Sequence, residues 1–284
     1  MNGDWGILLG ASSGMGLATA KKMASAGMNL VLIHRDRRSV MEEINQQFDE
    51  LATQVNVKSY NTDALDKGKR SEVIDELLEQ IGTGKISLLL HSVAKGNLKL
   101  MGKRNEKIPD AIGQMEANFA KTKQHAQDVN YGAQELGELD FSLTTQAMAT
   151  SLLSWTQDLL QAKLFTEKPR VIGLTSEGHH RVWPGYGAVA VAKSSLETLA
   201  KYMGVELAGQ GVRTNVIQAG ITPTPSMEMI PGSELMKSSA KFRNPFGRLT
   251  STEDVANVVY LLCQPEADWI NGTSIIVDGG EHLT

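Results

Sequence analysis

One tyrosine and one lysine stand seven residues apart, Tyr186 and Lys193, in a run from Gly185 to Glu206 whose small and apolar residues recur at helical spacing. Seven residues make almost two turns, so both side chains leave one face about 10 Å apart along the axis, with the lysine leaning back toward the N-terminal end. A phenol and an ammonium on one face can do proton-transfer or oxyanion chemistry at a single site. An ordinary amphipathic helix with a surface lysine and a half-buried tyrosine would read the same way. What separates the two readings is a glycine-rich turn near the N-terminus.

Trp5 to Leu9 reads as a buried strand, Gly10-Ala11-Ser12-Ser13-Gly14-Met15-Gly16 as a turn, and the following residues to about Ala26 as a helix closed by Gly27. Glycines let the backbone approach a ligand, and a helix start offers free N–H groups at a positive dipole end, so strand, turn and helix together make a pyrophosphate cradle. Three glycines alone would make only a tight turn. Met28 to His34 is the second strand, and it ends in His34-Arg35-Asp36-Arg37-Arg38, where a dinucleotide fold meets the adenosine ribose. Arg35 with Arg37 or Arg38 suits a 2′-phosphate and favours NADPH over NADH, whereas Asp36 argues the other way.

The elements that must position these groups alternate from the first residue. Val55 to Asn61 is a third strand followed by a helix from Lys69 to Gln80; Ile86 to Leu90 is a fourth, running into His91-Ser92-Val93-Ala94. This predicts an α/β fold: a doubly wound parallel sheet in one domain, residues 1–284, with the ligand beyond the strands' C-terminal ends. Asp63 and Ala64 then fall near adenine, and Ser92 and Val93 near the cofactor's middle. The alternation fails from about 95 to 139, which reads as an insertion beside the site mouth with a helix from Pro109 to Gln127. Lysines and arginines exceed acids between Lys95 and Lys123, either a solvated face or a dock for an acidic partner. Asp140 to Leu160 reads as one long helix, Arg170 to Thr175 as a fifth strand ending at Ser176, and Arg213 to Gln218 as a sixth. Ala219 to Thr224 leads into a mobile-looking stretch, about 223–246, placed to act as a substrate lid. A helix from Thr252 to Cys263 and a strand from Ser274 to Val277 close the chain.

A net charge of −4 gives no support for nucleic-acid binding. The single cysteine, Cys263, excludes an internal disulfide and reads as a buried thiol, in keeping with a reducing cytoplasm. No apolar run approaches membrane length, and the N-terminus lacks the basic start of a signal peptide. His179-His180 has no third ligand at a sensible spacing, so the pair is expected at the surface and no metal is expected.

Taken together, these residues resemble the short-chain dehydrogenase/reductase family over nearly the whole chain apart from the insertion. Gly10, Gly14 and Gly16 match its cofactor turn, Asp63 its adenine-side aspartate, Gly220 and Thr224 its nicotinamide-side loop, and Ile276-Val277-Asp278-Gly279-Gly280 its closing strand. Classical members place a tyrosine four residues before the lysine, where this chain has Val189. The six-residue gap from Tyr186 to Lys193, with His91-Ser92, is similar to the enoyl-acyl-carrier-protein reductase branch.

The resemblance implies a cofactor site of Gly10, Ser12, Ser13, Gly14, Met15, Gly16, His34, Arg35, Asp63, Ala64, Ser92, Val93, Lys193, Gly220, Thr222 and Thr224. It also implies Tyr186, Lys193 and Ser176 as catalytic residues, with Gly96 and Tyr186 at the substrate. Ser176 stands where the branch usually has an aromatic residue and where classical members have their serine. Thr222 replaces the usual isoleucine. The expected activity is NADPH-dependent reduction of an enoyl thioester carried on acyl carrier protein, by a homotetramer. A ketone or 3-ketoacyl reductase would use the same residues, and a dinucleotide-binding regulator would not need all three catalytic ones. A donor displaced toward a thioester oxygen, roughly 3.5 Å from the β-carbon by bond lengths, gives the longer gap a chemical reason.

Overall fold

The computed structural model describes residues 3–102, 132 and 134–284. The helix expected from Pro109 to Gln127, and most of the basic residues of the insertion, lie outside them.

Seven parallel strands form one sheet in the order β3-β2-β1-β4-β5-β6-β7. They are β1 (Trp5–Leu9), β2 (Asn29–His34), β3 (Val57–Asn61), β4 (Ile86–His91), β5 (Phe165–Ser176), β6 (Arg213–Ala219) and β7 (Ser274–Val277). Strand order reverses between β1 and β4, which puts a ligand crevice beyond their carboxyl ends. Alternate strand residues point to opposite faces, so each strand feeds two cores. Ile7, Leu9, Val31, Ile33 and Leu89 pack on one side, Leu8, Leu30, Leu32, Leu88 and Leu90 on the other.

The first core is covered by α3 (Lys67–Ile81), α5 (Ser151–Gln161) and α6 (Gly187–Glu206), the second by α1 (Gly14–Ser25), α2 (Met41–Ala52) and α9 (Thr252–Leu262). Trp155 of α5 is fully buried and donates its indole N–H to the Ala64 carbonyl, which anchors the turn after β3 to the helix layer.

Three elements differ from expectation. The long helix is split into α4 (Glu138–Thr145) and α5 by a π-helical turn at Gln146–Thr150, where Ala147, Met148 and Ala149 are buried. One extra residue per turn rotates the later face, and apolar periodicity alone does not mark such a bulge. β5 begins at Phe165 rather than Arg170, because a register shift against β4 between Ile86 and Leu88 absorbs the polar residues and Pro169. The stretch expected to be mobile carries two helices, α7 (Pro225–Glu228) and α8 (Ser233–Arg243).

Ion pairs fix these two helices. Lys237 pairs with Glu228 and Glu234, and Arg243 with Glu177 and Glu281.

Candidate active site

The crevice is built from the glycine turn outward. Gly10 and Gly14 have φ of 82° and 54°, left-handed values that suit glycine. A Cβ on Gly16 would stand 2.1 Å from the Gly10 carbonyl oxygen, and one on Gly10 would stand 2.5 Å from that of Ser92. Both glycines are thus demanded by backbone packing, which holds β1, the start of α1 and the end of β4 against each other. Ser13, the N-cap of α1, makes no side-chain capping bond, so the first N–H groups of the helix remain available to an anion. These residues fit the pyrophosphate of a dinucleotide.

On the adenosine side the structure ties together residues that the sequence kept apart. Arg35 donates to Asp63 at 2.7 Å, and the Asp63 carboxylate also accepts from the Leu65 amide. Arg35 therefore faces Asp63 as well as solvent, with 63% of its side chain exposed. The Asp36 carboxylate bonds His34 at 2.8 Å, while its amide donates to Asn61 Oδ1 and its carbonyl accepts from the Asn61 side-chain amide. At the other end, Thr222 is buried and donates to the Gly220 carbonyl, while Thr224 caps α7 and stands against Gly14. Gly220 has a packing reason of its own, since a Cβ there would meet Thr250, Asp278 and Glu281 below 3 Å.

Ser176 ends β5, and Tyr186 is the N-cap residue of α6, one position ahead of the helix it was expected to ride on. The two hydroxyl oxygens lie 3.3 Å apart. Burial pushes the Tyr186 phenol up and the Ser176 contact pulls it down, with burial the larger effect. Tyr186 is therefore a protonated donor at neutral pH. Lys193, 7% exposed, donates to the Leu174 carbonyl at 2.6 Å. Burial lowers its pKa from 10.5 to about 8, opposed by the carboxylate of Glu197 one turn further along α6. Behind it His91 is buried and bonded to Ser151, and burial with the nearby Lys193 charge lowers its pKa to about 3. The site thus combines a protonated phenol, a neutral imidazole and a lysine that titrates within reach of physiological pH. This arrangement can stabilise an oxyanion and relay a proton.

Gly178, Thr175 and Glu197 escaped the sequence, whereas Gly96 was expected at the substrate. A Cβ on Gly178 would press to 2.4 Å from the Tyr186 ring, so Gly178 sets the ring's height. A Cβ on Gly96 would come within 2.5 Å of Val189, which is buried with Met148. The position four before Lys193 is thus a buried valine packed against Gly96 and Met148. Glu197 and Thr175, bonded at 2.8 Å, also lie behind Lys193. The Lys-x-x-x-Glu spacing was visible, but its partners come from another strand. The histidine pair is not wholly at the surface either. His179 is nearly buried and lies beside Glu197, the third ligand-type residue that sequence spacing lacked. The sulfur of Cys263 is enclosed and its thiol is pushed up to about 12 by burial, as for a structural cysteine.

Residues 10–112 and 110–282 match the family model described as enoyl-(acyl carrier protein) reductase, and the chain belongs to that family of NAD(P)H-dependent oxidoreductases. It is 25% identical to enoyl-[acyl-carrier-protein] reductase [NADH] 2 of Rhizobium meliloti (strain 1021), over all of this chain and 93% of that protein. It is 30% identical to the NADH enoyl reductase FabI of Aquifex aeolicus (strain VF5), over about half of each chain: 50% of this one and 53% of the other. Among solved structures, that of the Bacillus cereus enoyl-acyl carrier protein reductase with NADP+ and indole naphthyridinone superposes at TM-score 0.79 and 23% identity, covering 100% of this chain and 98% of that one. An L-sorbose reductase from Gluconobacter frateurii superposes at 0.76 and 19%, covering 100% and 98%. Both structural likenesses bear on the fold.

Two outcomes follow from the site geometry. Gly178→Ala should displace the Tyr186 ring and lower kcat about a hundredfold, as misplacements near 1 Å do, while the thermal unfolding midpoint stays close to wild type; unchanged kcat would remove Gly178 from the site. If the charged Lys193 is the active form, kcat/KM should fall as pH rises through about 8. Glu197→Gln should move that limb to lower pH, since the carboxylate favours the cation. The same shift affects stability: a lysine whose folded pKa lies below its unfolded value weakens the fold below about pH 8, and this penalty is relieved between 8 and 10.5. A rate profile flat from pH 7 to 10 would sink the assignment.

Proposed function

We propose that the protein reduces the 2,3 double bond of an enoyl thioester, with NADPH as reductant and acyl carrier protein as the carrier of the acyl group. The observation that carries this reading is the donor position. Tyr186 meets Ser176 at the head of α6, while the classical position, Val189, is sealed under Gly96. A donor set back in this way suits an oxygen on the carbon two removed from the site of reduction. The family description supports the substrate class.

When bound, the reduced nicotinamide supplies the hydride that adds to the β-carbon. The electron pair of the double bond then moves toward the thioester carbonyl, and a proton is added at the α-carbon. Tyr186 donates a hydrogen bond to the oxygen on which negative charge develops, and Ser176 stands close enough to share it. Lys193 holds the ribose hydroxyls of the cofactor and, while charged, strengthens the phenol's donation. The turn Gly10 to Gly16, with Ser12, Ser13 and Met15, holds the pyrophosphate. Asp63, Ala64, Ser92, Val93, Gly220, Thr222 and Thr224 line the remainder, and Gly96 borders the substrate.

NADPH is favoured by Arg35, Arg37 and Arg38 at the end of β2. The names of the enoyl reductase relatives carry NADH, and Asp63 competes for Arg35. That pair is exposed, and exposed pairs contribute little, so the guanidinium is free to turn to a phosphate. The chain forms a single domain with its insertion at about 95–139 and lid at about 223–246, and we place the contacts of a homotetramer on α5 and α6, where Val191, Tyr202 and Val205 face outward. Among the described residues no helix is long and apolar enough to cross a membrane. A cytoplasmic setting agrees with the lone cysteine.

Trans-2-enoyl thioesters should be reduced much faster than the matching 3-ketoacyl thioesters, and Tyr186→Phe should lower kcat on the order of a hundredfold with NADPH affinity little changed. A wild type that prefers ketones, or full enoyl activity in the variant, would favour the ketoreductase reading; cofactor binding without turnover of either would favour a regulator. NADPH should exceed NADH by roughly one to two decades in kcat/KM, a margin that Arg35→Ala removes. Equal use of both cofactors by wild type would reject that role for Arg35.

A further inference from the structure

The turn between β5 and α6 contains a group that the reduction chemistry does not use. His179 Nδ1 lies 2.9 Å from the Ser176 carbonyl oxygen, which can only accept, so Nδ1 carries the hydrogen. In the neutral ring this leaves a lone pair on Nε2. That nitrogen is enclosed, makes no hydrogen bond, and lies 3.3 Å from Glu197 Oε1, with the side chains of His179 and Glu197 only 9% and 13% exposed. Two lone-pair atoms face each other at this distance stably only with a positive charge between them.

A ring nitrogen of His180 completes the group. The three ligand-type atoms of His179, His180 and Glu197 lie within 4.8 Å of one another, and the two rings are 3.9 Å apart. Tetrahedral ligands at zinc-type bond lengths of about 2.0–2.1 Å sit roughly 3.4 Å apart. The His179–Glu197 separation already meets that figure. His180 is exposed and can close the remaining gap, which leaves the fourth position open to water.

The surroundings match what a metal-binding imidazole requires. Its far nitrogen donates to a backbone carbonyl, fixing the tautomer, and the Glu197 carboxylate is held by the Thr175 hydroxyl at 2.8 Å. Two imidazoles and one carboxylate select a borderline transition metal rather than calcium or magnesium, which take oxygen ligands.

We propose that His179, His180 and Glu197 bind one zinc-class divalent cation. The site joins the segment after Ser176 to α6 one turn beyond Lys193, so the cation acts as a clip behind the reacting groups. The inference stands whether or not the enoyl reading holds.

The test uses the full chain, stripped with chelator and titrated with Zn2+ against a chromophoric competitor. Wild type should bind one zinc per chain, gain thermal stability on binding, and show the intense visible bands of tetrahedral cobalt when loaded with Co2+. His180→Ala, at an exposed position that should fold normally, should weaken zinc binding at least about tenfold. His282→Ala, at the remote Asp278–His282 pair, should leave it unchanged. Equal affinity in His180→Ala and wild type would overturn the site. So would a wild type that binds no zinc, with two ring protons on His179 by nitrogen NMR, since a proton would then be what separates Nε2 from Glu197.

Discussion

The structure turns on a lysine ammonium held inside the protein. Removing a cation from water is costly unless it finds partners, and Lys193 finds the Leu174 carbonyl and the field of Glu197. Those two contacts require β5 and α6 to meet in one register. β5 supplies Leu174, Thr175 and Ser176 in succession: a carbonyl for Lys193, a hydroxyl for Glu197 and a hydroxyl for Tyr186. Three consecutive residues of one strand thus set the lysine, the carboxylate behind it and the phenol in front. His91 beneath them stays neutral for the same reason, since a second cation beside Lys193 in an apolar interior would find no compensation.

Small residues decide where the larger ones can stand. Gly178 lies against the Tyr186 ring and Gly96 against Val189. The first leaves room for the phenol at the start of the helix, and the second closes the position one turn later. The π-helical turn before α5 serves the same pocket, because Met148 lies beside Val189 and Gly96. The spacing from tyrosine to lysine is in this sense a packing outcome: the donor stands where the interior leaves a ring-sized space.

The segment that carries α7 and α8 is bound to the site by charge as well as by apolar contact. Arg243 at the end of α8 joins Glu177, beside Ser176, to the buried Glu281 near the C-terminus. Trp183, in the turn that precedes Tyr186, donates to the Pro231 carbonyl between the two lid helices. The α7–α8 segment is therefore tied to the loop that carries the phenol.

The sequence by itself determined the α/β architecture, the glycine turn after β1 and the presence of Tyr186 and Lys193 at the head of one helix. These rest on local physics: runs of Ile, Val and Leu of strand length, helical periodicity between them, and glycines at positions that tolerate no Cβ. It also exposed Val189 as the departure from the classical spacing. Tertiary structure alone decided the rest. Arg35 is 28 residues from Asp63 and Glu197 is 22 from Thr175, separations at which only the parallel register of the sheet and the helix seated on it say what touches what. The glycines at 96 and 178 carried no turn signal, because what they make room for is a side chain from another element. His179 and His180 looked like a surface pair for the same reason: the carboxylate that faces them arrives on a helix, and spacing along one chain does not report contact across two elements.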